Sequence, residues 1–352
     1  MLLQLLPTNT PESTPSIQRG SFHGAGGTLL GMQIVNVCLT IVTLGAYHFW
    51  AKAKIRRYLF SQTAFAGDRF AYHGTGKELY QGFLKATVVF GIPYFSLGAA
   101  HSFLALPQSV DFLLQAMAAL VLFLYVPVAI VNARRYRCTR TSWRGIRFSF
   151  RGRTVDFLKL YFKGWLFTLL TLGTYYPYFQ TQRQAFLHSH TYFGNQRFRF
   201  TGHGSGLMVP FAVTLFTTYA VLCLCGLALA LQLTNAGLTL LLIPFVLGPV
   251  WVWLLGQKQK YYWDHTTFGE ARFSSSITWQ KLFGLYLGNL ALLLLTLGWA
   301  WPWVTVRNAR FFIGTLSLQG LTDLDRVLQD TTETSVTGEG LSNLLDTGFD
   351  MD

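Results

Sequence analysis

The chain repeats one short pattern along most of its length, and this repetition limits its fold more than any other feature. The triplet Thr-Leu-Gly occurs inside three apolar segments, starting at residues 43, 171 and 296. A basic loop with a central glycine also recurs, starting at residues 54, 133, 183 and 258, with a shortened copy at 307. Recurrence of this kind predicts an array of similar supersecondary units.

Seven apolar segments alternate with these loops. Each is roughly 20 residues or longer, the length that a helix needs to cross about 30 Å of hydrocarbon. Only 12% of the residues are charged and 51% are hydrophobic, whereas soluble domains carry about 25% charged residues. The sequence therefore predicts a mostly α-helical, polytopic membrane protein. The segments are 27–50, 83–107, 111–133, 156–180, 207–232, 236–256 and 282–305.

The spacing of the loops divides the chain into modules. Measured from the arginine of each copy, the loops are 50, 78, 50 and 75 residues apart, so single apolar segments alternate with pairs. This alternation predicts a three-segment module in tandem, between tails too polar to pack. The predicted units are a disordered N-terminal tail (1–19), two membrane repeats (20–146 and 147–271), a partial third repeat (272–318) and an acidic, disordered C-terminal tail (319–352).

Each basic loop has the pattern of a short β-hairpin. Apolar and polar residues alternate on both sides of Gly-Asp, Gly-Asn or Gly-Glu, which is typical of two strands and a tight turn. Isolated hairpins are only marginally stable. Copies on the same side of a membrane would therefore be expected to pair into a common sheet.

The basic loops conflict with a simple topology. If every apolar segment spans the membrane once, half of these loops lie on each side, whereas the positive-inside rule places basic short loops in the cytoplasm. The alternative is that the three Thr-Leu-Gly segments enter the membrane and return. Gly45, Gly173 and Gly298 would then break the helix, aided by Pro177 and Pro302. Cytoplasmic loops follow from the second arrangement.

Two blocks of the first copy resemble a known family. They are LTxxTLGxYxFWxKxxxRRY at residues 39–58 and FxGxRFxYxGxG at residues 65–76, and degraded copies follow in later repeats. The pattern resembles the YjgN-like family of bacterial inner-membrane proteins, a domain of unknown function, over roughly residues 18–318. The resemblance implies a multi-pass protein of the bacterial inner (plasma) membrane, and it implies no activity.

Aromatic and basic residues follow the first Thr-Leu-Gly triplet directly. Residues 20–318 carry 26 lysines and arginines against six acidic residues, and this charge borders apolar segments, a pattern that favours anionic lipid over nucleic acid. We therefore expect membrane lipids as partners, no nucleic acid, and contact with lipid headgroups at the exit of this segment. The candidate contacts are Trp50, Lys52, Lys54, Arg56 and Arg57.

Histidine and glycine recur together just before apolar segments, at His73, Gly74 and Gly76 and again at His203. Backbone N–H groups of such turns can hold an anion such as a lipid phosphate. A second interpretation is turn chemistry, in which Thr75 with Glu78 forms a capping box. A third, a metal bound by histidines of several copies, is not adopted, and neither a metal nor a cofactor is expected.

Three polar residues lie inside the apolar segments, namely Asn36, His101 and Asn289. Such residues either line a substrate path or form hydrogen bonds between helices. No acidic residue lies deep in a segment, which argues against an ion-coupled transporter.

Two functions remain open on the sequence. The first is a lipid- or envelope-associated membrane module that contacts anionic phospholipid, and the alternative is a small-molecule transporter or channel built from tandem repeats. Catalysis is not expected, because the sequence shows no nucleophile motif, carboxylate pair or metal set. Ligand, protein partners and oligomeric state are not indicated.

Overall fold

The computed structural model describes residues 17–103 and 107–320, apart from the side chains of residues 101–103, 240 and 241. This part of the chain is mostly helical and also contains ten short strands. The predicted tails fall mainly outside the described residues. The first strand begins at Gln18, and the predicted domain boundaries stay a prediction.

Within the described residues, ten antiparallel strands close into a barrel in the order β1-β10-β9-β8-β7-β6-β5-β4-β3-β2. The first strand pairs with the last, with Gln18 opposite Leu318, and also with the second, with Phe22 opposite Thr63. The strands are Gln18–Phe22 (β1), Thr63–Phe65 (β2), Asp68–Tyr72 (β3), Thr141–Trp143 (β4), Ile146–Phe150 (β5), Thr191–Phe193 (β6), Gln196–Phe200 (β7), Thr266–Phe268 (β8), Ala271–Ser275 (β9) and Leu316–Gln319 (β10).

The predicted β-hairpins in the basic loops are confirmed. The pairs β2–β3, β4–β5, β6–β7 and β8–β9 each form an antiparallel ladder across a two-residue turn. In the first, Ala66 and Gly67 both have positive φ, which suits the twist of a tight hairpin. Arg144 and Gly145 repeat this geometry in the second. Neighbouring hairpins then pair with one another, which removes the exposed edges that an isolated hairpin would have.

Helices connect one hairpin to the next. Because each connection joins strands that are neighbours in the barrel, its helices leave from and return to the same end of the barrel, opposite the hairpin turns. The helices are Gly26–Val42 (α1), His48–Gln62 (α2), Gly76–Ala86 (α3), Ile92–Phe103 (α4), Gln108–Thr139 (α5), Thr154–Leu170 (α6), Tyr176–Ser189 (α7), Met208–Ala230 (α8), Ala236–Asp264 (α9), Trp279–Leu295 (α10) and Trp301–Gly314 (α11). A π-helical turn joins α3 to α4, and a 3₁₀ turn precedes α8.

Short and long helical pairs alternate around the barrel. Among the described residues, four helical stretches are long and apolar enough to cross a membrane, and they form the two long pairs. The stretches are Gly76–Ala100, Gln108–Thr139, Gly204–Ala230 and Ala236–Asp264. The short pairs are α1 with α2, α6 with α7, and α10 with α11.

Three of the seven predicted apolar segments are each divided into two helices in the structure. Segments 27–50, 156–180 and 282–305 each contain a turn, at residues 43–47, 171–175 and 296–300, that separates two shorter helices. Their amino-acid composition had suggested continuous spans, whereas the Thr-Leu-Gly triplet sets the backbone. The tandem three-segment module stays a prediction.

Candidate functional site

The first Thr-Leu-Gly triplet forms the tight turn between α1 and α2. Leu44 and Gly45 have φ values of +50° and +93°, a left-handed conformation that ends a helix. The N–H of Gly45 donates to the carbonyl of Thr40 at 2.7 Å, and the hydroxyl of Thr43 accepts from the N–H of Tyr47 at 2.9 Å. Thr43 thus holds the backbone just before the second helix, while the glycine closes the first.

The other two triplets have the same geometry. Gly173 and Gly298 have φ values of +91° and +88°, and their N–H groups donate to the carbonyls of Thr168 and Leu293 at 2.7 and 2.8 Å. The structure therefore places all three candidate helix-breaking glycines, Gly45 included, at the far tips of the short helical pairs.

The tips are strongly apolar surfaces. Leu44, Leu172 and Leu297 are 97%, 84% and 90% exposed. Solvent-exposed leucine at the end of a hairpin is costly in water and favourable in hydrocarbon. A 17-residue helix such as α1 extends about 25 Å, which is less than the roughly 30 Å of a hydrocarbon core.

The candidate headgroup contacts lie on α2, which returns from the tip to the barrel. Lys54 and Arg57 are exposed on this helix, whereas Lys52 and Arg56 are half-buried. Trp50 lies nearer the tip, and its ring packs over Gly76 at the start of the next helical pair, where an added Cβ would lie 2.5 Å from the ring. The structure thus brings two candidate residues, Trp50 and Gly76, into one contact between helical pairs.

The same contact recurs at two other junctions. Tyr178 packs over Gly204, and Trp303 packs over Gly26. These aromatic residues follow the Thr-Leu-Gly triplets at the same distance as Trp50, so the glycines before the apolar helices serve the packing of neighbouring pairs.

The His-Gly turns have hydrogen-bond partners within the protein. His73 donates its backbone N–H to the carbonyl of Arg140 at 2.8 Å, and its Nε2 lies 2.8 Å from Ser142 Oγ. Gly74 is buried against the ring of Tyr72. The hydroxyl of Tyr261 bridges the N–H and carbonyl of His203 at 2.8 and 2.7 Å.

The capping box that the sequence suggested is present. Thr75 accepts from the N–H of Glu78, and the Glu78 carboxylate accepts from the N–H of Thr75, both at 3.3 Å. This cap starts α3 at Gly76, seven residues before the predicted apolar segment. The described residues contain no group of three His, Cys, Asp or Glu side chains placed to hold a metal.

The intramembrane candidates occupy different settings. Asn36, on α1, is buried, and neither its Oδ1 nor its Nδ2 has a hydrogen-bond partner. Asn289, on α10, donates to Asn308 Oδ1 at 2.7 Å. His101 belongs to α4, and its side chain lies outside the described part of the structure.

Sequence reasoning missed a cavity of about 440 Å³ inside the barrel. Each complete β-hairpin places one aromatic ring at the end of its first strand and a second five residues later, and these rings form an aromatic layer in the barrel. Neighbouring rings lie with centroids 4.8 to 6.5 Å apart, and the contact between Phe65 and Phe273 completes the circle. The layer comprises Phe65, Phe70, Trp143, Phe148, Phe193, Phe198, Phe268 and Phe273.

The part of the cavity nearer the helices is polar and basic. Arg134 and Arg137, one helical turn apart on α5, line it together with His188 and three threonines. Arg134 donates from one terminal nitrogen to Thr191 Oγ1 at 3.4 Å, while its buried Nε has no hydrogen-bond partner. The threonines are Thr141, Thr191 and Thr266.

His188 is neutral in this setting. Burial, with a smaller contribution from the positive charge of Arg134, lowers the pKa of His188 from 6.5 to about 3. The Nε2 atom of His188 lies 2.7 Å from Gln184 Nε2, and its Nδ1 lies 3.5 Å from Thr266 Oγ1. Since the Gln184 amide nitrogen is a donor, the neutral ring accepts at Nε2 and carries its hydrogen on Nδ1. The positive charge of the cavity therefore comes from the arginines.

The chain matches the family described as "Bacterial protein of unknown function (DUF898)" over residues 17–344. The chain belongs to this family. The structure of this DUF898 chain contains two pairs of helices that are long and apolar enough to cross a membrane, in addition to the strand barrel. The chain is therefore a membrane protein with transmembrane helices.

Curated relatives carry a matching location in their names. The chain is 35% and 32% identical to the "Inner membrane protein YjgN" of Escherichia coli O157:H7 and of strain K12, and 29% identical to that of Salmonella typhimurium strain LT2. Each match covers 130 residues, which is 37% of this DUF898 chain and 30% of the relative. The matched part thus spans under a third of the relatives' length. No solved structure matches the chain.

Proposed function

We propose that this DUF898 protein is a multi-pass inner-membrane protein that embeds three short helical pairs in the cytoplasmic leaflet and contacts anionic phospholipid there. The observation that carries this proposal is the almost complete exposure of Leu44, Leu172 and Leu297 at the three tips. Hydrocarbon accounts for such tips, because lipid contact removes the cost of exposing leucine to water.

The barrel supports placing the basic loops on one side. All hairpins belong to one closed barrel. Its strands are too short to cross a bilayer, so the barrel lies on a single side of the membrane. Four of its hairpins carry the basic motif, so the positive-inside rule puts the barrel in the cytoplasm. In this proposal the short pairs enter and leave the bilayer on that side, so that all the basic loops satisfy the positive-inside rule.

Charge at the base of the short pairs suits anionic headgroups. Lys54 and Arg57 are exposed on α2 between the apolar tip and the barrel. Basic side chains near an anionic membrane surface contribute about 1 kcal/mol each. The lipid contact in this proposal therefore involves Lys54 and Arg57 rather than the His-Gly turns, whose backbone groups have hydrogen-bond partners within the protein.

Cysteine labelling tests the topology. In a variant that lacks Cys38, Cys138, Cys223 and Cys225, single cysteines replace Arg69 in the first hairpin and Asn195 in the third. Both residues are exposed. An impermeant maleimide added to intact spheroplasts should label neither cysteine, and permeabilisation should expose both. Labelling of the two cysteines from opposite faces would exclude the arrangement.

Native mass spectrometry tests the lipid contact. The double variant Lys54→Gln/Arg57→Gln should retain less anionic phospholipid than the unmodified protein. The control, Arg69→Gln/Arg199→Gln, removes the same charge from exposed barrel positions and should retain as much as the unmodified protein. Equal retention by both double variants would contradict contact at α2.

A small-molecule transporter is the second candidate. The buried Asn36, with both amide atoms unpaired, is the observation that favours it, since an unsatisfied amide in a membrane helix is costly unless it serves a ligand or water. Replacement of Asn36 by leucine should raise the melting temperature if this residue has no ligand. A loss of substrate uptake in the same variant would favour transport.

A further inference from the structure

We propose that the barrel cavity binds an amphiphilic anion, a molecule with one carboxylate or phosphate group and a single apolar body. This site is separate from the phospholipid contact proposed at Lys54 and Arg57, because neither of these residues lines the cavity. The two proposals therefore succeed or fail independently.

The size and walls of the cavity suit a small apolar body. A volume of about 440 Å³ lies within the range of roughly 300–1,000 Å³ that is usual for small-molecule sites. Eight aromatic rings from four hairpins line the walls. A structural core would be expected to fill such a space with side chains at close packing, whereas here the rings surround an open volume.

The polar end supplies the anion site. Arg134 and Arg137 are the cavity's cationic groups. The three threonine hydroxyls beside them donate to backbone carbonyls of the helices that precede them, so the arginines are the donors for an anion. Arg134 also has a buried Nε with no hydrogen-bond partner. Guanidinium groups bind carboxylate and phosphate through charge-assisted hydrogen bonds, and the described residues that line the cavity include no acidic side chain.

The arrangement assigns an orientation to the ligand. Its anionic group lies at the helical end against Arg134 and Arg137, and its apolar body extends among the rings toward Phe198 and Phe273. His188, being neutral, contributes a wall of the polar end without competing for the anion.

Photocrosslinking of the full chain in a maltoside detergent tests the site. The probes are dodecanoic acid with a terminal diazirine and the matching dodecanol, and the competitors are unlabelled dodecanoate and dodecyl phosphate. The acid probe should label peptides containing Phe198 or Phe273, and a competitor should suppress this labelling. The more effective competitor identifies the preferred headgroup.

Three variants distinguish the effect of the arginine charge on labelling from the effects of the cavity volume and of a control substitution outside the cavity. Arg134→Gln should lower labelling by the acid about tenfold, the loss expected when a charge-assisted hydrogen bond is removed, and should leave labelling by the alcohol unchanged. Cys138→Phe narrows the cavity with a ring that the first copy already has at Phe60, and should reduce labelling by both probes. Arg199→Gln, one residue from Phe198 but exposed on the barrel, should change neither.

Several results would overturn the proposal. They are labelling confined to the membrane helices, equal labelling by acid and alcohol in the unmodified protein, and equal effects of Arg134→Gln and Arg199→Gln. Elution of each variant as a single species in gel filtration confirms that a loss of labelling is not a loss of fold.

Discussion

The indole ring of Trp50 covers Gly76, the first residue of the following helical pair, so closely that a Cβ on this glycine would lie 2.5 Å from the ring and 2.6 Å from the Trp50 Cα. The contact joins the second helix of one short pair to the start of a long pair. Gly76 is therefore needed for its small size.

Replacement of Gly76 by alanine should destabilise the protein. Overpacking at a rigid contact costs about 1–3 kcal/mol, and here the ring and the backbone of Trp50 would both have to shift. Thermal unfolding in detergent measures the change. Gly27→Ala is the matched control, because this helical glycine has no atom within 4 Å of an added Cβ and should be neutral or stabilising. Equal melting temperatures for the two variants would refute the packing role.

The tip of the first short pair should lie in hydrocarbon. In a cysteine-free chain reconstituted in a bilayer, an environment-sensitive fluorophore on Leu44→Cys should emit at short wavelength and be quenched by spin-labelled lipid chains. The same fluorophore on Arg69→Cys, in the exposed turn region of the barrel, should show neither effect. A water-like spectrum at residue 44 would contradict insertion of the tip.

Stability should fall in acid because of His188. Its pKa is about 3 in the folded protein and about 6.5 when unfolded, so below pH 6.5 the unfolded chain binds a proton that the folded chain does not. The free energy of unfolding should therefore drop by roughly 1.4 kcal/mol per pH unit, or about 2 kcal/mol by pH 5.

The His188→Phe variant isolates this effect. Phe60 lies three residues before Thr63, as His188 lies three before Thr191, so the barrel accepts phenylalanine at an equivalent position. The variant should lose about 2 kcal/mol less stability than the unmodified protein between about pH 7.5 and pH 5. Equal losses of stability in the variant and the unmodified protein over this pH range would show that folding does not lower the pKa of His188.

The hydroxyl of Tyr261 should stabilise the start of the second long pair. It bridges the backbone N–H and carbonyl of His203, so Tyr261→Phe should cost about 1–2 kcal/mol in thermal unfolding. Tyr219→Phe is the control, because Tyr219 is exposed on α8. If both variants have the same melting temperature, the bridge makes no net contribution to stability.

The sequence predicted local structure well where one residue type decides it. Gly45 and its copies had to end a helix once a left-handed backbone was needed, and Gly67 with Asp68 marked a hairpin turn. The barrel was harder to predict, because its closure depends on pairing between strands such as β1 and β10 that lie about 300 residues apart. Hydropathy alone also misled, since a broken segment such as 27–50 has the composition of a continuous span.

The cavity could have been inferred only from the spacing of its rings. Phe65 and Phe70, like Phe193 and Phe198, recur five residues apart in every complete hairpin, which places both on the same barrel interior once the hairpin turn is fixed. The guanidinium of Arg134 could not have been placed beside them, because its position depends on how α5 meets the barrel.

The pairing of β1 with β10 has a consequence for biosynthesis. At translation rates of about 5–20 residues per second, β1 waits roughly 15–60 seconds after synthesis for the last strand of the barrel. During this interval the growing sheet presents two unpaired edges, and such edges readily pair with other chains. Completion of the chain therefore competes with mispairing of its first strand during assembly.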